Sequence, residues 1–211
     1  MNKRNAAACL ATILIAGCAT TNYEAPLPKI NLSPDEHECV SLETSKGEIT
    51  LALYKKLAPI SVENFLSYTN DNFYDGTIFH RVIENFIVQG GGFDENKEKK
   101  ITKEPIESEA DNGLLNIRGS VATARKGDPH SATAQFFINN VDNPFLNHRE
   151  KTMRGWGYTV FGRVVGSMDV VDNIRKVPTG PSGNFSKDVP IDNVVIIKAK
   201  VISCNDVKQG A

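Results

Sequence analysis

The stretch Phe79-His80-Arg81-Val82-Ile83-Glu84-Asn85-Phe86-Ile87-Val88-Gln89, followed by Gly90-Gly91-Gly92, decides how the rest of the chain is read. The apolar runs at 79–83 and 86–89 predict two short strands. Within a dozen residues they carry one permanently charged guanidinium, one amide and several large apolar side chains. No acid/base pair, nucleophile or metal cluster accompanies them. Such a set suits a site that grips and polarises a neutral group, and not one that makes or breaks a covalent bond. The three glycines lack the following Lys-Ser/Thr of a phosphate-binding loop, so they read as a tight turn after a strand.

Outward from this stretch the pattern is mostly β. Val40, Leu42 and Thr44 alternate with Cys39, Ser41 and Glu43; after a turn at Ser45-Lys46-Gly47, Ile49, Leu51 and Leu53 alternate with Thr50, Ala52 and Tyr54. Two alternating runs about a glycine turn predict a hairpin. Further strands are expected at 120–124, 135–138, 159–165 and 194–202, separated by loops rich in Gly, Asn and Asp. Two segments have helical spacing instead. Ser61 precedes Val62, Phe65, Leu66 and Thr69, and is expected to cap that helix. Ser167 precedes Met168, Val171 and Ile174, with Asp169 and Asp172 early and Arg175 and Lys176 late, as the helix dipole prefers. About eight strands and two helices predict a mainly β fold: a closed eight-stranded antiparallel barrel with an α-helix capping each open end.

The chain has 211 residues and a formal net charge of −1, which excludes the basic field of a nucleic-acid binder. Lys3 and Arg4 precede an apolar run at 6–16 that is too short to span a bilayer, and this is the pattern of a secretory signal. Ile15-Ala16-Gly17-Cys18 resembles the lipobox of bacterial lipoproteins, in which the cysteine becomes the lipidated first residue. By that resemblance residues 1–17 are a removed signal peptide, and Cys18 is a lipidated membrane anchor. Ala19 in place of Asp favours the outer membrane, with the domain facing the periplasm of a bacterial cell envelope. Losing Lys3 and Arg4, and no acid, leaves 22 basic against 25 acidic side chains, a net −3. Residues 18–36 form the lipidated start and a proline-containing tether, 37–205 the domain and 206–211 a tail.

Cys9 leaves with the signal and Cys18 carries lipid, so Cys39 and Cys204 remain. Antiparallel pairing of the first and last strands would bring them together, and outside the cytosol two thiols that meet oxidise. A Cys39–Cys204 disulfide is one reading; two independent buried thiols are the other. The four histidines show no metal-ligand spacing, and neither a metal nor a cofactor is expected.

The segment from Tyr74-Asp75-Gly76-Thr77-Ile78 through the opening stretch to Gly90 resembles the signature of the cyclophilin-type peptidyl-prolyl isomerases. The similarity continues through Gly119-Ser120-Val121-Ala122-Thr123-Ala124-Arg125, Gln135-Phe136-Phe137-Ile138-Asn139 and Tyr158-Thr159-Val160-Phe161-Gly162. These motifs span most of the domain in the family's order, and the pattern is most similar to the periplasmic bacterial branch. The resemblance implies a cyclophilin-like fold and an enzyme that accelerates rotation about X-Pro bonds in unfolded or folded polypeptides. It also implies that Arg81 is the catalytic residue. Phe86, Ile87, Phe137 and Leu146 would form the proline pocket, with Phe145 and Tyr158 on its rim. Gln89 and Gln135 would bond the substrate backbone and Arg81, and Ala124 and Arg125 would line the groove.

The chemistry suits that assignment. Rotation about an X-Pro amide faces a barrier of roughly 18–20 kcal/mol that comes from resonance, so no bond is cleaved and no proton need be abstracted. His80, despite its near-neutral intrinsic pKa, is therefore expected to be structural or peripheral. Phe145 stands where cyclosporin-sensitive members have tryptophan, and Tyr158 where they often have histidine. Phenylalanine lacks the indole donor, so tight cyclosporin binding is not expected. The competing reading is a non-catalytic chaperone lipoprotein that holds proline-containing segments; the intact Arg81, Phe86, Gln89 and Phe137 set argues against it. A monomer is expected.

Overall fold

The computed structural model describes residues 30–208. The expectations for the signal peptide, for Cys18 and for most of the tether lie outside these residues. The predicted hairpin forms β1 (His37–Thr44) and β2 (Gly47–Tyr54), in register from His37↔Tyr54 to Thr44↔Gly47. The turn needs Gly47, whose φ of 125° disfavours any residue with a Cβ. Val40, Leu42, Ile49, Leu51 and Leu53 point into the main core, as period-two alternation requires. The opposite face buries Cys39 and Ala52 in a smaller cluster with Val165 and Cys204, against which Ile30 and Leu32 pack.

Nine strands make one antiparallel sheet in the order β3-β11-β1-β2-β8-β6-β7-β5-β4. The remaining members are β3 (Thr77–Ile78), β4 (Arg81–Val82), β5 (Ile87–Gly90), β6 (Ser120–Thr123), β7 (Phe136–Asn139), β8 (Val160–Val164) and β11 (Val195–Ile202). Between the last two, β9 (Thr179–Ser182) and β10 (Phe185–Pro190) form a separate hairpin.

The expected closed eight-stranded barrel is therefore corrected: the sheet has nine strands and is an open, curled half-barrel. The physical reason lies in residues 77–82. The run expected as one strand divides its hydrogen bonds between two neighbours. Thr77 and Ile78 pair with β11, whereas Arg81 and Val82 pair with β5. The amide of Phe79 still donates to Val194 O, at 2.9 Å, but no ladder joins β3 to β4. The two sheet edges are spanned by the chain itself.

Both expected helices form, α1 (Pro59–Asn70) and α2 (Met168–Arg175). From α1, Phe65 packs against Tyr74, Phe136 and Phe161 at ring separations of 4.9, 5.3 and 5.3 Å. From α2, Val171 and Ile174 complete the same core. Ser61 is not the cap of α1. The helix starts two residues earlier, with Pro59 in its first turn, where a missing N–H costs nothing. The orphan amides of Ile60 and Ser61 donate to the Glu109 carboxylate at 2.9 and 2.8 Å, and the Ser61 hydroxyl donates to it at 2.7 Å. Ser167 precedes α2, but its hydroxyl accepts from the Thr50 amide at 2.8 Å and so ties α2 to β2.

Cys39 and Cys204 are joined by a disulfide, with their Cα atoms 5.2 Å apart and a sequence separation of 165. The pairing Cys39↔Ile202 of β1 with β11 places them there. A bond across so long a loop restricts the unfolded chain strongly, an effect worth several kcal/mol, about 4 or 5 in chain-entropy terms.

The Glu109 cap yields a stability prediction. Glu109→Ala leaves two helix amides unpaired beside the positive end of the α1 dipole and should cost about 1–2 kcal/mol. Urea unfolding should show a lower midpoint with an unchanged slope; an unaltered midpoint would mean that solvent replaces the carboxylate fully.

Candidate active site

Strands β4, β5 and β7 lie side by side, and their registers assemble a polar line. Arg81 faces Gln89 across β4–β5, and Gln89 faces Phe137 across β5–β7. Arg81 Nη1 donates to Gln89 Oε1 at 3.4 Å, and Gln89 Nε2 donates to Gln135 Oε1 at 3.0 Å. The guanidinium carbon also sits 5.6 Å from the Phe86 ring centroid. An ordered chain of two amides thus holds a half-buried cation in place, with no carboxylate paired to it among the described residues. Gly92 makes room for this chain: a Cβ there would lie 2.4 Å from Gln135 Cγ.

Beside the line opens a cavity of ≈ 420 Å³. Its apolar part is a distinct cluster of Ile87, Ala122, Phe137, Leu146 and Val160, with Phe86, Ala124 and Tyr158 packed against it. Phe137 and Tyr158 meet edge to face at 5.6 Å. Of the residues expected at the site, Arg81, Phe86, Ile87, Gln89, Ala124, Arg125, Gln135, Phe137, Leu146 and Tyr158 all line this one cavity. Phe145 does not. It lies outside the wall, 64% exposed, and stacks on Phe86 at 5.6 Å with the planes 23° apart.

Arg125 lines the groove in an engaged state. Its Nε donates to Gly157 O at 2.8 Å, its Nη1 donates to the carbonyls of Lys126 and Gly127, and its guanidinium carbon lies 4.7 Å from the Tyr158 ring centroid. The side chain therefore braces the Gly157–Tyr158 segment. The amide of Ala124 donates to Gln135 O at 2.9 Å, which continues the β6–β7 pairing up to the groove.

A buried asparagine network fixes the loops around the cavity. Asn139 Nδ2 donates to Asn116 Oδ1 at 3.1 Å and to Ser120 Oγ at 2.9 Å. Asn143 Nδ2 donates to Asn139 Oδ1 at 2.7 Å and to Phe86 O at 3.0 Å. Asn116 Nδ2 donates to Leu146 O and Tyr158 O at 3.2 and 3.3 Å. The backbones of three cavity residues, Phe86, Leu146 and Tyr158, thus hang on three asparagines that are at most 2% exposed. The only sequence signal for this network was an asparagine ending an otherwise apolar strand.

Sequence reasoning also missed Phe93, Phe185 and Lys187 in the cavity wall. His80 sits among them, 4% exposed, with ring centroids 4.6 Å from Phe93 and 5.6 Å from Phe185. Burial pushes its pKa down from 6.5 to about 4; an Ile78 carbonyl opposes the shift and the Arg81 charge adds to it. The imidazole is a neutral wall element.

The fold and the site together define a class: a curled antiparallel sheet presenting a groove, with an ordered guanidinium over an apolar cavity. No serine, threonine, cysteine or carboxylate lines that cavity among the described residues. Residues 39–201 match the family model described as cyclophilin type peptidyl-prolyl cis-trans isomerase/CLD. The chain is 57% identical over 163 residues to the peptidyl-prolyl cis-trans isomerase cyp18 of Streptomyces antibioticus, covering 77% of this chain and 98% of that protein. Identity to peptidyl-prolyl cis-trans isomerase B of Escherichia coli is 54%, covering 74% and 95%. Identity to peptidyl-prolyl cis-trans isomerase A of Dickeya dadantii is 51%, covering 90% and 97%. A crystal structure of a Cryptosporidium parvum cyclophilin type isomerase, obtained in the presence of the dipeptide Ala-Pro, superposes with a TM-score of 0.63 at 25% identity, covering 78% and 99%. The chain belongs to the cyclophilin-type peptidyl-prolyl cis-trans isomerases.

The histidine gives a pH prediction. Its folded pKa of about 4 lies below the unfolded 6.5, so the unfolded chain takes up a proton first as pH falls. The stabilising contribution is complete above pH 6.5 and is lost progressively down to about pH 4, to the extent of about 3 kcal/mol. Chemical denaturation across that range should show the loss, and His80→Gln should flatten it. An equal slope in both proteins would assign the acid sensitivity to other groups.

Proposed function

We propose that Arg81 catalyses X-Pro rotation by donating a hydrogen bond to the prolyl nitrogen as it loses conjugation. Amide resonance is the obstacle, and a site lowers it by binding the twisted form more tightly than either planar one. As the C–N bond turns, the nitrogen pyramidalises and gains a lone pair that accepts a hydrogen bond. An arginine donor is charged at every relevant pH and loses little freedom when its fork is already oriented. The apolar cluster around Phe137 and Leu146 would take the proline ring, leaving the carbonyl side free to rotate. The observation that carries this reading is the ordered Gln135–Gln89–Arg81 chain. It presents at the lip of an apolar cavity a guanidinium that no carboxylate among the described residues neutralises.

The same donor could serve a protein that merely holds peptides. The difference is whether the bond strengthens in the twisted state, which the oriented amide chain favours because its dipoles need no reorganisation during the turn.

The enzyme would work in the bacterial cell envelope, tethered by lipid on Cys18 after removal of residues 1–17. Support comes from the lipobox-like Ile15-Ala16-Gly17-Cys18 and from the Cys39–Cys204 disulfide, which suits an oxidising compartment. No helix among the described residues is long and apolar enough to cross a membrane. Stable attachment would then need more than one acyl chain, since a single one holds only marginally.

Two measurements test these proposals. Arg81→Ala should lower kcat/KM for an Ala-Pro peptide by about 100-fold or more, as loss of one oriented donor does elsewhere, with the melting temperature unchanged. A wild-type rate in that variant would remove Arg81 from the mechanism. Cells fed labelled palmitate should incorporate label into the full-length chain and none into Cys18→Ser; equal labelling of both would end the anchor assignment.

A further inference from the structure

The cavity wall carries three permanent cations, Arg81, Arg125 and Lys187, and no aspartate or glutamate. Arg81 hydrogen-bonds a neutral amide, and Arg125 hydrogen-bonds three carbonyl oxygens. Among the described residues the three form a single ion pair, between Lys187 Nζ and Asp188 Oδ2 at 3.8 Å, on a lysine side chain that is 78% exposed. A long, solvated contact of this kind neutralises little. The chain as a whole has a net charge of −1, so the groove is positive against the average of its own molecule. Low-dielectric walls such as Phe86, Phe93, Phe137 and Phe185 concentrate the field of such charges into the cleft.

The three cations are differently employed. Arg81 is held over the apolar pocket and Arg125 is locked onto the Gly157 segment. Lys187 alone projects from a hairpin edge with its ammonium in solvent and a flexible stem to move it. It stands beside Phe185 on β10, on the side of the cavity formed by His80 and Phe93. It borders the same cavity as Arg81 and the apolar pocket.

We infer that the groove selects X-Pro segments carrying an acidic side chain within two residues of the proline, with Lys187 as the cation that discriminates. The inference rests on the groove being the substrate site proposed above. An exposed charge acting across a rim changes encounter and retention modestly and is screened by salt. The expected preference is therefore about five- to tenfold at low ionic strength.

Exchange NMR on Ala-Ala-Pro-Ala-Ala peptides tests it, each non-proline position being replaced in turn by Glu, Gln or Lys. At one position or more, the Glu peptide should show the higher kcat/KM and the Lys peptide the lower, with Gln between them. The Glu-to-Lys ratio should collapse toward one at about 1 M salt, where the screening length is near 3 Å. It should collapse likewise in Lys187→Gln at low salt. Ratios below about twofold at every position overturn the selectivity, and so does a ratio that Lys187→Gln leaves intact. The Gln peptides keep the two readings apart. Failure to accelerate them overturns the groove as the substrate site, whereas normal turnover of Gln peptides with equal Glu and Lys rates overturns the acidic preference alone.

Discussion

One six-residue segment, 77–82, bears both edges of the main sheet, and the position of Arg81 follows from that constraint. Thr77 and Ile78 are bound to β11, which is bound to β1, and Cys204, two residues past the end of β11, is joined by the disulfide to Cys39 of β1. After two intervening residues the same backbone is bound to β5. A segment fixed at both ends has no freedom to slide, because a slip of one residue would turn every side chain to the wrong face. Arg81 would then point away from Gln89.

Rigidity at the strand edge would be wasted if the opposite wall moved. That wall is made of loops, and loops ordinarily supply the least stable part of a fold. Here the Asn116–Asn139–Asn143 network converts three loop backbones into extensions of β7. A buried amide with every hydrogen bond satisfied is stabilising, and the same amide with one partner missing costs the desolvation of the remainder. The network is thus nearly all-or-none, so Phe86, Leu146 and Tyr158 hold their places together.

How much of this was legible in the sequence depended on the length over which a pattern repeats. Strands β1, β2 and β11 each run for eight residues, long enough for alternation or an apolar run to show in the sequence. Two-residue strands have no period, and the division of 77–82 between two neighbours left no trace in composition. The β9–β10 hairpin was missed for a different reason: Thr179-Gly180-Pro181-Ser182 is largely exposed and contains a proline, which reads as a loop. Its contribution to the groove, Phe185 and Lys187, was lost with it. The Glu109 cap was invisible because a local motif search does not look 48 residues ahead. Most of the groove's other lining residues were found through the family's motifs, and their assembly into one cavity was beyond what periodicity alone supplies.

The neighbourhood of His80 and Arg81 shows why burial and chemistry cooperate here. Two adjacent residues that both carried positive charge would repel, and the guanidinium would be drawn toward solvent. Packing His80 between Phe93 and Phe185 keeps the imidazole neutral down to about pH 4, so Arg81 acts without a competing charge beside it. Gln89 and Gln135, which hold the guanidinium, do not titrate at all. A carboxylate in the place of either would orient Arg81 more strongly, but would spend its charge on a ground-state ion pair that the twisted amide would have to disrupt. In the mechanism proposed above, neutral amides would orient the donor and leave its field for the nitrogen lone pair that appears only during rotation.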